Sequence, residues 1–282
     1  MSTLEKKIDF VAFVSVTMAN GNGDPLNGNR PRTDYNGFGE ISDVCIKRKI
    51  RNRMQDLGHK IFVQSEYRSD DGFGSLSERA SSVMKNIKDR DLYTKIACET
   101  WMDVRTFGQV FAFKDTKGVS CGVRGPVSIH QAISISPVEI ESMQITKSVN
   151  GEKKDKGESI ASDRMGMKHF VRFGLYKIKG SINTQLAEKT GFSYEDAQVV
   201  KECLRTMFIN DASAARPDGS MEVVKLYWFE HNSKDGQYSS AKIHRSVSAV
   251  LKPDVMVPSS IEDYDISVEP LEGLHVEEIE GI

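Results

Sequence analysis

Residues 8–18 constrain the fold more than any other stretch of the chain. Apolar side chains occupy every second position of "IDFVAFVSVTM" and therefore share one face of an extended segment, while Val11 and Phe13 make the other face partly apolar. Alternation with period two is typical of a strand, and a strand that is apolar on both faces is buried on both. The pattern predicts a strand in the centre of a sheet.

A basic helix is predicted over residues 42–58, "SDVCIKRKIRNRMQDLG". Ser42 is in position for the N-cap and Gly58 for the C-cap. Four apolar residues follow at helical spacing, namely Ile46, Ile50, Met54 and Leu57. We expect this stripe to face a core.

The rest of the chain mixes helices and strands. Residues 77–102 are predicted to form one or two helices beginning near Ser77 and Asp91, and residues 193–208 a helix with Ser193 and Asp196 in capping positions. Further strands are predicted over residues 107–113, 119–123, 125–135, 138–148, 169–182, 221–231 and 241–251. This order indicates an α+β fold, and a split βαβ layout of the ferredoxin or RNA-recognition kind accounts for it most economically.

No repeat or low-complexity linker divides the chain, so residues 1–282 are expected to form one domain that carries insertions. Residues 148–168 are polar, charged and without periodicity. So long a stretch inside a compact domain is usually functional or disordered.

Charge is unevenly distributed along the chain. Residues 253–282 contain nine acidic residues and no Lys or Arg, so the remaining 31 acids stand against all 38 basic residues and residues 1–252 carry about +7. A basic body suits a polyanionic partner, because each phosphate contact is made by a local Lys or Arg. The acidic C-terminal segment, approximately residues 253–282, is more often a solvated end than a device that shields a basic groove or docks on a neighbouring subunit.

Several classes of protein are disfavoured. No window approaches 18 uninterrupted apolar residues, so no membrane span is expected, and the N-terminus has no signal-peptide cleavage pattern. The four cysteines are isolated, which disfavours a disulfide framework or a zinc site and suits a reducing compartment. We therefore expect a cytoplasmic protein without a cofactor.

Two neighbouring segments are candidates for phosphate binding. Residues 47–53, "KRKIRNR", hold five cations in seven positions, with Lys47 and Arg51 on one helix face and Arg48 beside them. A solvated helix face explains most basic runs, but here the cations repel one another with few acids between them unless an anion is bound. The preceding loop, residues 20–34, adds glycines for close backbone approach and four polar or basic side chains: Asn20, Asn22, Arg30 and Arg32.

Five further cations lie near loops or glycines and complete the candidate set: Arg105, Arg124, Arg164, Lys168 and Arg216. Each one alone is more often a surface charge than a ligand. Together they suit an extended nucleic-acid backbone, which needs several separated cations.

No catalytic centre is recognisable. The histidines have no metal-ligand spacing, and no nucleophile motif is present. Asp24 and Asp34 in the arginine-bearing loop could assist a metal-dependent RNA cleavage, but Asp in such a loop is far more often a turn residue. We expect no catalytic residue, no metal site and no enzymatic activity.

These residues also resemble a known family. "NGNGDPLNGNRPRTD" followed by "SDVCIKRKIRN" is similar to the repeating backbone subunit of type I-C CRISPR surveillance complexes (Cascade), within the RAMP superfamily. The similarity continues through "DVRTFG" at 103–108, "RGPVSIHQAISISPVEI" at 124–140, "DRMGMKHFVRFGLYKIKG" at 163–180 and "NDASAARPDG" at 210–219. It covers most of the chain in the expected order and fades toward the C-terminus.

The resemblance implies a modified RNA-recognition-motif palm, with a finger insertion at approximately residues 60–105 and a thumb insertion at approximately residues 141–168. Copies would stack head-to-tail along one CRISPR RNA and present it for pairing with target DNA in antiviral defence. The expected partners are the CRISPR RNA, the target DNA, copies of the chain and the other Cascade subunits: the guide-processing or 5′-end-capping subunit, the large subunit and the small subunit.

For individual residues, the resemblance implies RNA-backbone contacts by Lys47 and Arg51 on the helix and by the arginines of the loop. It places Arg164 and Met165 at the RNA-facing tip of the thumb. Related type III backbone subunits cut target RNA with a loop aspartate and a divalent metal, and Asp34 lies in a comparable loop. A metal-dependent RNA endonuclease is therefore the alternative, and a general single-strand binder is a third hypothesis.

Overall fold

The structure is a computed structural model that describes residues 3–113, 120–146 and 165–282. The strands are β1 (Ile8–Ala19), β2 (Gly23–Asp24), β3 (Arg30–Pro31), β4 (Phe38–Ile41), β5 (Gly108–Phe111), β6 (Cys121–Arg124), β7 (Val127–Ile129), β8 (Ala132–Pro137), β9 (Ile140–Thr146), β10 (Met165–Ile182), β11 (Met221–Glu230), β12 (Val247–Leu251), β13 (Tyr264–Val268) and β14 (Val276–Glu280). The helices are α1 (Asp43–Asp56), α2 (Leu76–Met84), α3 (Arg90–Thr100), α4 (Met102–Phe107), α5 (Thr184–Thr190), α6 (Tyr194–Arg205) and α7 (Ser240–Ser246). The predicted α+β class is confirmed.

An eight-stranded sheet forms the centre of the protein, with the order β14-β11-β1-β10-β8-β4 and with β7 and β9 paired to β10. Its strand pairs are antiparallel. β1 lies between β10 and β11, and its first nine residues are buried on both faces. The predicted central strand is therefore confirmed.

Helices α1 and α6 cover one face of the sheet. Ile46, Ile50 and Met54 of α1 are buried in one cluster with Val200 and Leu204 of α6. Each such side chain contributes ~1.5–3 kcal/mol when fully buried. The predicted N-caps are present, because Ser42 Oγ accepts from Cys45 N at 3.2 Å and Ser193 and Asp196 form a reciprocal capping box. The predicted C-terminus of α1 is wrong by one residue, because Leu57 is the C-cap and Gly58 follows it with φ of 85°, and Leu57 is 40% exposed instead of facing the core.

The C-terminal part of the chain covers the opposite face. Phe13 of β1 and Tyr227 of β11 are buried there in one cluster with Ile243 and Val247, which belong to α7 and β12. β12 and β13 form a separate two-stranded sheet that contributes Tyr264 to the same cluster. Both faces of the central sheet are therefore covered by protein.

A second, smaller hydrophobic core is formed by residues that lie between α1 and β7 in the sequence. Its buried residues, which we call the satellite core, are Phe62, Ala80, Met84, Tyr93, Ala97, Cys98, Trp101, Val104, Phe111 and Val123. They come from α2, α3, α4, β5 and β6 and the segment before α2. The sequence region expected to form an insertion thus has its own apolar centre.

Two helix starts differ from the prediction. The N-caps are Ser75 and Asp89, whose side chains accept from Glu78 N and Leu92 N, instead of Ser77 and Asp91. Each predicted cap lies two residues inside the helix. Serines and acids occur at several adjacent positions here, and only the backbone geometry selects the one that caps.

Two predicted segments change type. The strand expected over residues 241–251 is α7 followed by β12, with Ser239 as the N-cap of the helix. A short apolar run does not distinguish helix from strand by periodicity alone. Of the aperiodic stretch and thumb insertion expected to reach Lys168, residues 147–164 lie outside the described residues, and residues 165–168 belong to β10 and pair with β9. Exposed Met165 and Met167 alternate there with the half-buried Gly166 and Lys168.

Candidate nucleic-acid interface

The loop over residues 20–34 is an ordered hairpin rather than a permissive turn. β2 pairs with β3, and Gly28 and Asn29 turn the chain with φ of 58° each. Positive φ is allowed for Gly and tolerated by Asn, so these residue types suit the turn. Asn20 Nδ2 closes the hairpin by donating to Asn29 O at 2.7 Å.

The hairpin is joined to the start of α1. Asn22 Oδ1 accepts from the backbone N of Ser42 at 2.9 Å, and Arg32 N donates to Asn22 O at 3.1 Å. Asn20 is buried and its backbone N donates to Ala215 O at 2.9 Å. The two asparagines predicted to bind RNA thus hold the hairpin in place.

The two loop arginines lie partly open to solvent. Arg32 Nη2 contacts Asp24 Oδ1 at 3.4 Å, and the Arg32 side chain is 37% exposed. Arg30 is half-buried, and its side chain makes no hydrogen bond or ion pair within the described ranges. Guanidinium donors therefore remain available on this hairpin.

The cations of α1 have partners supplied by the chain itself. Lys47 pairs with Asp43 at 2.9 Å, and Arg48 Nη1 donates to Val63 O at 2.6 Å. Lys49 Nζ contacts Asp211. Carboxylates outside the basic run thus pair with Lys47 and Lys49, whereas Arg48 binds a carbonyl, and burial together with the neighbouring charge of Arg51 lowers the pKa of Arg48.

Arg51 is used to attach the satellite core to α1. Its Nε donates to Asp103 Oδ2 at 3.1 Å, and its guanidinium lies 4.9 Å from the centre of the Phe107 ring. Asp103 is 1% exposed and also accepts from the backbone N of Phe62 at 2.7 Å and of Val63 at 3.0 Å. Three donors thus converge on one buried carboxylate.

Arg105 makes a second such connection. It binds the carboxylate of Asp196 with two hydrogen bonds, from Nε at 2.9 Å and from Nη2 at 2.7 Å, and its Nη1 donates to Cys98 O at 3.3 Å. Both nitrogens of the fork that would grip a phosphate are therefore engaged with Asp196. The structure gives Arg105 a role between α4 and α6.

Three cations from separate segments lie around Cys45. Burial raises the pKa of the Cys45 thiol most, the charges of Lys49, Arg216 and Arg32 lower it, and the charge of Asp211 raises it. Lys49 and Arg216 both contact Asp211 directly. We call these three cations the basic cluster. Arg216 belongs to residues 210–219, which reach the hairpin through the bond from Asn20 N to Ala215 O. Sequence reasoning did not single out Lys49, which is buried and contacts Asp211 instead of facing solvent.

The hairpin of β9 and β10 extends from the same end of the sheet. Ala19, the last residue of β1, pairs with Val171 of β10, so residues 165–170 of β10 continue past the point where the loop over residues 20–34 begins. Met165 is 67% exposed there, and Lys168 is half-buried. Arg164 lies outside the described residues.

Arg124 belongs to a different segment of the chain from the residues of the basic cluster. It is exposed at the end of β6, where its Cα pairs with Gly108 of β5. No contact with the basic cluster is recorded within the described part of the chain. The predicted residues thus divide into those gathered at the loop, those used inside the protein and those on separate surfaces.

The aspartates considered for metal-dependent cleavage serve the local backbone. Asp34 Oδ1 accepts from Asn36 N at 2.8 Å and Phe38 N at 2.9 Å, and Asp24 accepts from Leu26 N at 3.2 Å. Within residues 3–113, 120–146 and 165–282, no three His, Cys, Asp or Glu side chains are grouped so that they could hold a metal ion. In the same ranges no helix is both long enough and apolar enough to cross a membrane.

The fold and the basic cluster define an α+β protein with a candidate anion-binding surface at one end of its central sheet. A family model described as CRISPR-associated protein Cas7 matches residues 6–269. The chain belongs to this family.

The chain is also similar to two known proteins. A CRISPR-associated protein Cas7 of Haloferax volcanii is 28% identical over 218 residues, which is 70% of this chain and 62% of the length of that protein. A solved chain of a "CRISPR RNA-guided surveillance complex, pre-nicking" aligns with a TM-score of 0.52 at 18% identity, covering 88% of this chain and 83% of that chain. At this identity the structural similarity concerns the fold.

Proposed function

We propose that the chain is a CRISPR RNA-binding backbone subunit of a Cascade-type surveillance complex. The observation that carries the proposal is that the loop and residues 210–219 are held together, by the bond from Asn20 N to Ala215 O and by the contacts of buried Lys49 and of Arg216 with Asp211, in a member of this family. Arg32 and Arg216 remain partly exposed on the surface formed in this way. Separated cations at one surface suit the phosphates of an extended strand, and a protein that contacts only the backbone leaves the bases free to pair.

Because both faces of the central sheet are covered by protein, we propose that RNA binds at the end of the sheet and not on a face. Proteins with the RNA-recognition fold stack bases on exposed aromatic residues of the sheet. In this chain Phe13, Tyr227 and Phe229 are buried beneath α7 and β12. The RNA path that we propose therefore runs along the loop over residues 20–34, the start of α1 and residues 210–219.

The order of elements supports a ferredoxin-like palm. β1, α1, β8, β10, α6 and β11 follow one another in the chain, and the corresponding strands lie in the order β11-β1-β10-β8. This is the order expected of a βαββαβ unit whose two halves interleave. In this scheme the satellite core is the finger insertion, and the hairpin of β9 and β10 is the base of the thumb.

The same proposal includes the assembly and its compartment. Copies of the chain would stack head-to-tail on one guide RNA in a type I-C complex, alongside the guide-processing, large and small subunits, and the guide would pair with target DNA in the cytoplasm. Head-to-tail contacts produce ordered multiples or filaments rather than a closed two-fold dimer.

Co-purification tests the proposal directly. The chain would be expressed with the genes that neighbour its own, and the RNA bound to the purified complex would be sequenced. A uniform RNA with repeat-derived ends is the expected result. Heterogeneous cellular RNA, or a complex free of RNA, would contradict the guide-binding role.

We propose that the subunit does not itself cleave RNA. Asp34 is committed to the backbone of its own turn, which disfavours the type III endonuclease alternative. The complex would be incubated with complementary RNA and Mg²⁺, with Asp34→Ala as the comparison. Intact RNA in both samples is expected, and cleavage that depends on Asp34 would establish the alternative.

A further inference from the structure

Residues 210–219 are attached to α1 through a buried lysine. Lys49 is 4% exposed, its Nζ contacts Asp211 Oδ2, and it lies 5.3 Å from the centre of the Phe208 ring. Because a buried charge must be paired, this contact holds the Asp211 carboxylate in a defined place. The Asp211 side chain is itself only 12% exposed.

The same carboxylate oxygen also contacts an arginine that reaches the surface. Arg216 Nε donates to Asp211 Oδ2 at 3.2 Å, and the Arg216 side chain is 28% exposed. Its backbone is fixed by two hydrogen bonds with Ser213, at 2.8 and 3.0 Å. In the described part of the chain, its two terminal amino groups, Nη1 and Nη2, donate to no protein acceptor.

This arrangement differs from the bidentate pair of Arg105 and Asp196. There Nε and Nη2 both bind the carboxylate. In Arg216 only Nε is held, so the outer edge of the guanidinium, with Nη1 and Nη2, is free to make the paired hydrogen bonds that a phosphate accepts.

We propose that Asp211 is a positioning residue for RNA binding: anchored by Lys49, it holds Arg216 through Nε so that Nη1 and Nη2 face a phosphate of the RNA. The inference rests on the proposed function. A free arginine loses rotamer entropy when it binds a phosphate, and prior fixing of its fork reduces that loss. Asp211 thus favours the binding of a polyanion although it carries a negative charge itself.

The sign of its effect makes the inference testable. Simple electrostatics predicts that Asp211→Asn strengthens RNA binding, because a negative charge is removed. The positioning role predicts the opposite, a loss of about tenfold in affinity, which corresponds to one charge-assisted hydrogen bond. The matched control is Asp218→Asn, because Asp218 lies in the same segment, is exposed and has no contact within the described residues.

A second variant separates positioning from charge and from folding. Asp211→Asn alone leaves Lys49 buried without its partner and can unfold the chain. The double variant Lys49→Met/Asp211→Asn removes one positive and one negative charge, so the net charge stays the same and no unpaired buried charge is left. Electrostatics alone then predicts unchanged affinity, whereas the positioning role again predicts a loss of about tenfold.

The experiment measures binding of a labelled single-stranded RNA with repeat-derived ends to the full chain, over a series of salt concentrations. We expect weaker binding for Asp211→Asn, for the double variant and for Arg216→Ala, and wild-type or slightly tighter binding for Asp218→Asn. In the Arg216→Ala background, Asp211→Asn is expected to cause no further loss.

Two results would overturn the positioning role while the wild type still binds RNA. One is unchanged or tighter binding by the folded double variant. The other is an additional loss when Asp211→Asn is combined with Arg216→Ala, because Asp211 would then act without Arg216. If the wild-type chain binds no RNA, the proposed function itself fails and the positioning role is lost with it.

Discussion

The arginines at the satellite core and the arginines at the basic cluster have the same chemistry and different uses. Arg51 and Arg105 are paired with Asp103 and Asp196 and join the satellite core to α1 and α6. Arg32 contacts Asp24 through Nη2 at 3.4 Å, Arg216 contacts Asp211 through Nε at 3.2 Å, and both side chains remain partly exposed. Whether an arginine is structural or available to a ligand thus depends on how much of its fork an internal carboxylate uses.

The largest effect is expected at the satellite core, from Asp103→Ala. This change removes the acceptor of two backbone N–H groups and leaves the Arg51 guanidinium, which is 13% exposed, without its partner. We expect a loss of about 3–5 kcal/mol in the free energy of unfolding. Denaturant unfolding measures it, with exposed Asp218→Ala as the control. A loss below about 1 kcal/mol would show that Asp103 does not hold the two parts together.

Arg105→Met tests the second structural arginine. Methionine keeps much of the aliphatic stem but loses the bidentate pair with Asp196, so we expect a loss of about 1.5–3 kcal/mol in the free energy of unfolding. The folded variant should bind RNA like the wild type. Unchanged stability together with weakened RNA binding would move Arg105 from the structural group to the RNA-contacting group.

At the basic cluster the reverse outcome is expected from Arg30→Ala combined with Arg32→Ala. RNA affinity should fall by about tenfold or more, and the log–log salt slope should flatten by about 1.4 for two lost single-strand phosphate contacts. Stability should change by less than about 0.5 kcal/mol, as for other surface substitutions.

The control for this pair is Arg245→Ala, because Arg245 is exposed on α7, across the sheet from α1. It removes a positive charge without touching the loop. A salt slope that stays unchanged in the folded double variant, or that flattens equally in Arg245→Ala, would mean that the loop makes no specific phosphate contact.

Lys177 adds a third case to the comparison, a half-buried cation whose hydrogen-bond partners are backbone carbonyls. Its Nζ donates to His244 O at 2.7 Å and to Val247 O, and burial lowers the pKa of this amine from 10.5 to about 8. Between these two values the unfolded chain binds more protons at this lysine than the folded chain. The contribution of Lys177 to stability therefore rises as the pH increases from about 8 to 10.5.

The measurement compares the free energy of unfolding of the wild type and Lys177→Met across that pH range, since other groups titrate there in both proteins. The difference should move in favour of the wild type as the pH rises. A constant difference would show that the Lys177 amine is not desolvated in the folded state.

Local signals were sufficient for the elements that carry the interface. The period-two run of β1, the Ser42 cap of α1 and the capping box of α6 were predicted and are present. The apolar stripe of α1 is buried as predicted at Ile46, Ile50 and Met54 but not at Leu57. Each depends on residues within one or two turns or along one strand, so the neighbouring sequence contains the whole cause. Family resemblance likewise rested on contiguous motifs, and membership of the CRISPR-associated Cas7 family is confirmed, whereas the type I-C subtype stays a prediction.

The use of each cation was decided by tertiary structure. The carboxylates that neutralise Arg51, Arg105 and Lys49 lie 52, 91 and 162 residues away from them in the chain. No local charge pattern contains such partners. The sequence of the basic run over residues 47–53 therefore predicts an external anion, whereas folding brings carboxylates to Lys47, Lys49 and Arg51.

The sequence by itself determined the central strand and the basic helix, because these depend on short-range periodicity and capping, and its contiguous motifs resembled the family to which the chain belongs. Only the folded chain decided that Arg51 and Arg105 face inward to acids while Arg32 and Arg216 keep free donors around Cys45. The physical reason is that a guanidinium binds whichever carboxylate the packing of distant elements brings within hydrogen-bonding distance.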